Sequence, residues 1–118
     1  MSTTHKNPQT QKWQAMSRDH HLAPFSDYKQ LHEKGPRIIT QAKGVYIWDS
    51  EGNRILDGMA GLWTTNVGYG RRELADAAHH QMLELPFYNT FFKTTHPPVI
   101  ELSSKLAEIA PANINQVF

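Results

Sequence analysis

"RIITQAKGVYIWDSEGNRILDG", Arg37 to Gly58, holds three short β-branched or aromatic runs. They are Ile38 to Gln41, Val45 to Asp49 and Arg54 to Asp57, separated by Ala42-Lys43-Gly44 and Ser50-Glu51-Gly52-Asn53. Turn-forming residues in both gaps predict a small antiparallel meander. Three strands with one apolar face need a cover for that face.

Immediately downstream stands "GMAGLWTTNVGYG", Gly58 to Gly70, in which five of thirteen residues are glycine or alanine. Leu62 and Trp63 sit in its middle. "LPFYNTFFK", Leu85 to Lys93, then puts four aromatics within six residues. Trp63, Phe87, Tyr88, Phe91 and Phe92 follow no clean helical or strand period. They fit two readings, filling of a core or lining of a ligand pocket by irregular backbone. The pattern leaves both open.

Helical signals lie on either side. Before the meander, a helical segment is expected from near Trp13 to Asp19, then an extended "HLAPF", because Pro24 biases Ala23 away from helix. One or two helical turns follow over Tyr28 to Lys34, closed by Gly35-Pro36. After the glycine-rich stretch, Leu74, Ala77, Ala78, Met82 and Leu85 form a helical stripe that Pro86 ends. Val99, Leu102, Leu106 and Ile109 form a second one. Thr94 or Thr95 is its expected cap, Pro97 and Pro98 suit its first turn, and Pro111 stops it. "NINQVF", Asn113 to Phe118, reads as the start of a strand.

The 118 residues make one ordinary domain at most. A mean hydropathy of -0.57 and the lack of any apolar run near the roughly 20 residues of a bilayer span argue against a membrane protein. The N-terminus shows neither a secretory signal nor a transit peptide, so the cytoplasm is the expected compartment. Zero cysteines exclude disulfides, thiolate catalysis and zinc–thiolate sites. Twelve basic and eleven acidic residues are dispersed, with no basic run of the kind that binds nucleic acid. A small molecule or another protein is the expected partner.

Two motifs lose their functional reading on inspection. "GYGRRE", Gly68 to Glu73, begins like a dinucleotide fingerprint, but Glu73 takes the third glycine position and would face a pyrophosphate. His20-His21 and His79-His80 are adjacent pairs whose side chains diverge by about 100° on a helix, so no metal is expected. Asp49, Glu51 and Asp57 sit at strand ends and a turn, where carboxylates commonly bond backbone amides.

"GVYIWDSEGNRILDGMAGLW", "NVGYGRRELADAAHHQM" and "LPFYNTFFKTTHPPVIELSSKLAEIAP", in that order, resemble the N-terminal region of the class III (ω-) aminotransferases. The likeness runs from Trp13 to Phe118. It is nearest to the pyruvate-dependent ω-transaminases that act on ω-amino acids and on polyamines such as putrescine. The resemblance implies an α/β fold-type I transferase dependent on pyridoxal 5′-phosphate, of which this chain is the N-terminal segment. It divides the chain into a mobile tail over 1–12, a small-domain part with the meander over 13–70, and helices leading into the large cofactor domain over 71–118.

By the same resemblance Leu62 and Trp63 line the substrate pocket, Phe25 lies at its edge, and Phe91 and Phe92 cross a homodimer or tetramer interface into the neighbouring site. The Schiff-base lysine and the phosphate loop are expected beyond Phe118, so no lysine here takes that role and no residue here is expected to hold the cofactor. None of the five arginines is expected to bind pyruvate's carboxylate. The implied reaction moves an amino group from a primary amine or ω-amino acid, such as putrescine or β-alanine, to pyruvate, giving an aldehyde or ketone and alanine. Thr64-Thr65 stands where many relatives have a cysteine after the tryptophan, which bears on substrate preference. Two other readings are a class III aminomutase or decarboxylase, and a non-catalytic 118-residue binding or interface module.

Overall fold

The computed structural model describes residues 7–118; the first six residues of the expected tail lie outside the described residues. The chain forms two compact units that meet in sequence between Arg72 and Glu73.

In the first unit, helix α1 (Pro8–His20) begins at Pro8 rather than near Trp13. The cause is local. Proline suits the first helical turn, and the Asn7 carboxamide accepts from the Gln9 amide at 2.9 Å. The expected tail is therefore helical from Pro8 onward. Helix α2 (Tyr28–Lys34) matches the expected span. The Asp27 carboxylate accepts from the Lys29 and Gln30 amides at 2.9 and 3.2 Å, and Gly35 closes the helix at φ 73°.

The meander forms as expected, with strands β1 (Ile39–Lys43), β2 (Tyr46–Asp49) and β3 (Arg54–Leu56) in the order β1-β2-β3, although β1 runs on through Ala42 and Lys43, two residues expected in the turn. Both pairings are antiparallel; Ala42 faces Ile47 in one and Ile47 faces Ile55 in the other. An irregularity between Ile39 and Gln41 shifts the register of β1. The β2–β3 turn is organised by Asp49, one of two buried polar side chains among the described residues. Its Oδ1 accepts from the Glu51 and Asn53 amides at 3.1 and 2.9 Å. The Asn53 side chain, the Asn53 and Glu51 amides and Arg37 together hold the Asp49 carboxyl below the ordinary carboxylate value. The other buried group, Thr10, ties α1 to this turn by donating its hydroxyl to Ser50 Oγ at 2.7 Å.

One further pairing fixes the geometry downstream of the sheet. Gly44, in the β1–β2 turn, bridges to Tyr69: the Gly44 amide donates to the Tyr69 carbonyl at 3.0 Å, and the Tyr69 amide donates to the Gly44 carbonyl at 2.8 Å. Gly68 permits this approach. Its φ is +84°, and a Cβ there would stand 3.1 Å from the Gly44 carbonyl oxygen. The "GYG" stretch thus supplies a backbone contact to the β1–β2 turn.

Helix α4 (Arg72–Glu84) covers the predicted stripe from Leu74 to Met82 and ends one residue short of Leu85, and helix α5 (Pro97–Ile109) runs as predicted to the residues before Pro111. The cap of α5 differs from expectation. The helix starts at Pro97, so His96 occupies the cap position, without a side-chain bond, and both threonines lie before it. Thr94 instead donates its hydroxyl to the Phe91 carbonyl at 2.5 Å. "NINQVF" is not a strand, since no described element offers it a ladder of hydrogen bonds.

No apolar side chain is buried among the described residues. Leu74 and Met82 of α4 and Leu102 and Ile109 of α5 stand exposed. No described helix is long and apolar enough to cross a membrane.

Substituting Gly68→Ala puts a Cβ into left-handed backbone against the Gly44 carbonyl. A loss of about 1–2 kcal/mol is expected at this bridge, read as roughly 5- to 30-fold faster amide hydrogen exchange at Gly44 and Tyr69.

Candidate active site

Directly after β3 the chain does what L-residues avoid. Ala60, Gly61, Leu62 and Trp63 all have positive φ, at 48°, 60°, 67° and 65°, and form the single turn α3 (Ala60–Trp63) wound the left-handed way. In that hand Cβ crowds the following carbonyl, so isolated glycines enter the region readily and runs of other residues do not. For Ala60, Leu62 and Trp63 together the cost is roughly 3–6 kcal/mol. The glycine-rich look of the segment is therefore only part of its explanation, because three of the four residues in the turn are not glycine.

Several hydrogen bonds hold the turn. The Leu62 and Trp63 amides both donate to the Met59 carbonyl at 2.9 Å, and the Thr64 and Thr65 amides both donate to the Ala60 carbonyl at 3.0 Å. Asp57, at the end of β3, braces it from the side. Its Oδ1 accepts from the Met59 amide at 3.0 Å, and its Oδ2 accepts from the Gly61 amide at 3.0 Å. The same Oδ2 accepts from the Tyr69 hydroxyl at 2.6 Å, and Tyr69 is itself paired to the sheet through Gly44. The space is close: a Cβ on Gly61 would meet Thr65 Oγ1 and the Tyr69 hydroxyl at 3.0 Å. Asp57 bonds backbone amides, as its place at a strand end suggests. The bond from Tyr69 has no local sequence signature beyond a tyrosine set between two glycines.

Electrostatics follow the bonds. The Tyr69 hydroxyl, followed by the Gly61 and Met59 amides, holds the Asp57 carboxyl below the ordinary value of 3.8. Asp57 in turn pushes the Tyr69 phenol above 10.0.

The other residues expected at a substrate pocket also lie on unusual backbone. Phe25 has φ 51°, in a loop where Ser26 Oγ donates to the Pro24 carbonyl at 3.0 Å and the Tyr28 hydroxyl to the Ala23 carbonyl at 2.7 Å. In the second unit, Phe92 and Lys93 have φ 56° and 66°. The preceding Phe91 amide donates to Asn89 Oδ1 at 3.0 Å, and the Phe91 and Phe92 rings meet edge to face with centroids 6.3 Å apart. Four of the five expected pocket residues thus hold left-handed backbone, and all five are exposed. Such strain concentrates at binding and catalytic segments.

The structure brings Leu62 and Trp63 together on one turn and Phe91 with Phe92 on another, while Phe25 stands on a loop of its own. A groove of about 690 Å³ between α1 and β1 is lined by Trp13, Met16, His21, Ile38 and Ile39 and contains none of the five. Within the first unit the left-handed turn that carries Leu62 and Trp63 is the candidate site. Lys12, Lys29, Lys34, Lys43, Lys93 and Lys105 are all exposed, and Lys105 is paired with Glu108 at 2.8 Å.

Sequence and fold together define the class. Residues 27–118 match the family model for class III aminotransferases, and the chain belongs to that family. Enzymes of this class depend on pyridoxal 5′-phosphate. Over all 118 residues the chain is 66% identical to putrescine–pyruvate aminotransferase of Pseudomonas aeruginosa, of which it covers 26%. The structure resembles an (S)-enantioselective ω-transaminase from Thermomicrobium roseum, with a TM-score of 0.82 and 48% identity, over 86% of this chain and 23% of that one. It also resembles the ω-transaminase of Pseudomonas jessenii in complex with PMP, with a TM-score of 0.79 and 37% identity, over 83% of this chain and 22% of that one. The chain spans about a quarter of the length of these relatives.

The bracing pair has a defined pH window. A carboxyl held below its ordinary value contributes stability that is present above pH 3.8 and lost as pH falls through the lower folded value. A phenol held above its ordinary value contributes stability present below pH 10.0 and lost as pH rises through the higher folded value. Trp63 fluorescence, isolated by Trp→Phe changes at the other two tryptophans, is expected to stay level between these limits and change beyond each. A response centred near neutral pH would contradict this bracing.

Proposed function

We propose that this chain is the N-terminal region of a pyridoxal-phosphate-dependent amine–pyruvate transaminase. Its donor would be a primary amine or ω-amino acid, such as putrescine or β-alanine, and its acceptor pyruvate, yielding an aldehyde or ketone and alanine. The observation that carries this reading is the 66% identity, along the entire chain, to putrescine–pyruvate aminotransferase. The cofactor, when bound, supplies the electron sink; this chain supplies the walls that receive the amine.

In this reading Trp63 and Leu62 present an apolar surface to the alkyl part of the amine, and Phe25 borders it. Phe91 and Phe92 complete the neighbouring subunit's pocket in a homodimer or tetramer. An aromatic wall suits an amine with no carboxylate beside it. It also attracts the distal ammonium of a diamine by a cation–π contact worth on the order of 1 kcal/mol. The left-handed backbone of Phe25, Leu62, Trp63 and Phe92 supports the assignment, because such strain gathers at binding segments. The small-domain part over 13–70 carries the wall, 71–118 leads toward the cofactor domain, and the cytoplasm is the proposed compartment.

The test is product analysis of the full-length enzyme with pyridoxal phosphate, pyruvate and putrescine. Equimolar alanine and aminoaldehyde are expected; an isomerised amine would favour the aminomutase, and carbon dioxide released from an α-amino acid supplied in place of putrescine would favour the decarboxylase. In the same enzyme, Trp63→Ala is expected to lower kcat/KM for the amine by roughly 10- to 200-fold, the range for losing apolar pocket contacts. Cofactor absorbance should stay at the wild-type level. Parallel loss of cofactor and turnover would place Trp63 in the core.

A further inference from the structure

Trp63 is held on its left-handed turn by a carboxylate and a phenol that lie outside the pocket residues. Asp57 is anchored at the end of β3 and Tyr69 by its bridge to Gly44, so both ends of their bond rest on the sheet. Between them Asp57 takes the amides of Met59 and Gly61, the residues that lead into the turn and start its descent to Trp63. The Tyr69 hydroxyl, 2.6 Å from Oδ2, also stands 3.0 Å from where a Cβ on Gly61 would lie, a close contact beneath the turn. The pair therefore fixes the direction of the turn and the space beneath it.

We propose that Asp57 and Tyr69 are positioning residues for substrate binding, setting the placement of the Trp63 ring by locking α3 in its left-handed form. This rests on the reading of Trp63 as a pocket wall. Without the phenol, Oδ2 loses its strongest donor and keeps only the Gly61 amide. The carboxylate is then free to rotate, and the turn can relax toward ordinary backbone. Relaxation swings Trp63 away from the amine without disturbing the cofactor, so the effect falls on recognition of the donor. Pyruvate, a small acceptor that needs little wall, feels it less.

A double-mutant cycle in the full-length holoenzyme tests this. Tyr69→Phe is expected to lower kcat/KM for putrescine about tenfold, chiefly through KM, while KM for pyruvate and cofactor absorbance hold within twofold. Asp57→Asn, which keeps the shape but loses the charge, is expected to act in the same direction. In a Trp63→Ala background, Tyr69→Phe should change kcat/KM less than twofold, because its effect passes through the ring already removed. A full tenfold effect in that background, or none in the wild type, overturns the positioning role. So does failure of both single variants to form holoenzyme, which would make the pair a general support of the fold. If Trp63→Ala itself leaves amine kinetics unchanged, the pocket reading fails first. The two failures are thereby distinguished.

Discussion

The carboxylate of Asp57 is the constraint on which the rest of this segment turns. It stands where a regular element ends and a forbidden one begins. On one side is β3, whose backbone groups are met by β2; on the other is a turn whose residues sit in the region that side chains disfavour. An unfolded chain gains nothing from adopting that turn. Two amides and one phenol converging on a single carboxylate give it a reason to. A hydrogen bond to a charged acceptor is stronger than a neutral one, and two donors on separate backbone positions restrict the turn from both ends.

The meander matters because it gives this carboxylate and its phenol fixed positions. Its edges are joined by tight turns, one organised by Asp49 and one bridged to Tyr69 through Gly44. Thr10 and Ser50 then tie α1 to the first of these turns. The polar contacts therefore run from the N-terminal helix, through the sheet, to the strained loop. The described residues bury no apolar side chain, so this polar framework, rather than a packed core, defines the local geometry of the first unit.

Much of this was legible in the sequence, and the parts that were not have identifiable causes. Strand placement followed from turn residues in two short gaps, because register in a meander is set locally. The two long helices followed from apolar spacing and from prolines at their ends. The start of α1 was hidden because Asn7-Pro8 lies in a polar stretch with no apolar period, and capping is visible only to a reader looking for a cap. The cap of α5 fell elsewhere because the helix starts at Pro97 and puts His96, not a threonine, immediately before its first turn. "NINQVF" shows that an apolar run is a strand only where another strand can pair with it. The aromatic residues were legible as an anomaly, not as a geometry. Composition showed large rings on irregular backbone, whereas the positive φ at Leu62 and Trp63 goes with a brace between Asp57 and Tyr69 that no local pattern announces. Membership of the class III aminotransferases was legible from the ordered motifs, since the family's model matches residues 27–118.

Exposure has a consequence for how such a site acquires its precision. Hydrogen bonds in contact with water exchange readily for bonds to solvent, and their net contribution is small. The same bonds in a site from which water is excluded are stronger, and an unmade one is more costly. The Asp57–Tyr69 brace is thus least able to offset the strain of α3 while this surface is open, and most able once it is covered. Covering the exposed turn that carries Leu62 and Trp63 removes water from around this brace. In the proposed enzyme, assembly and pocket geometry would then be coupled: the protein that surrounds Trp63 is also what makes its left-handed turn hold.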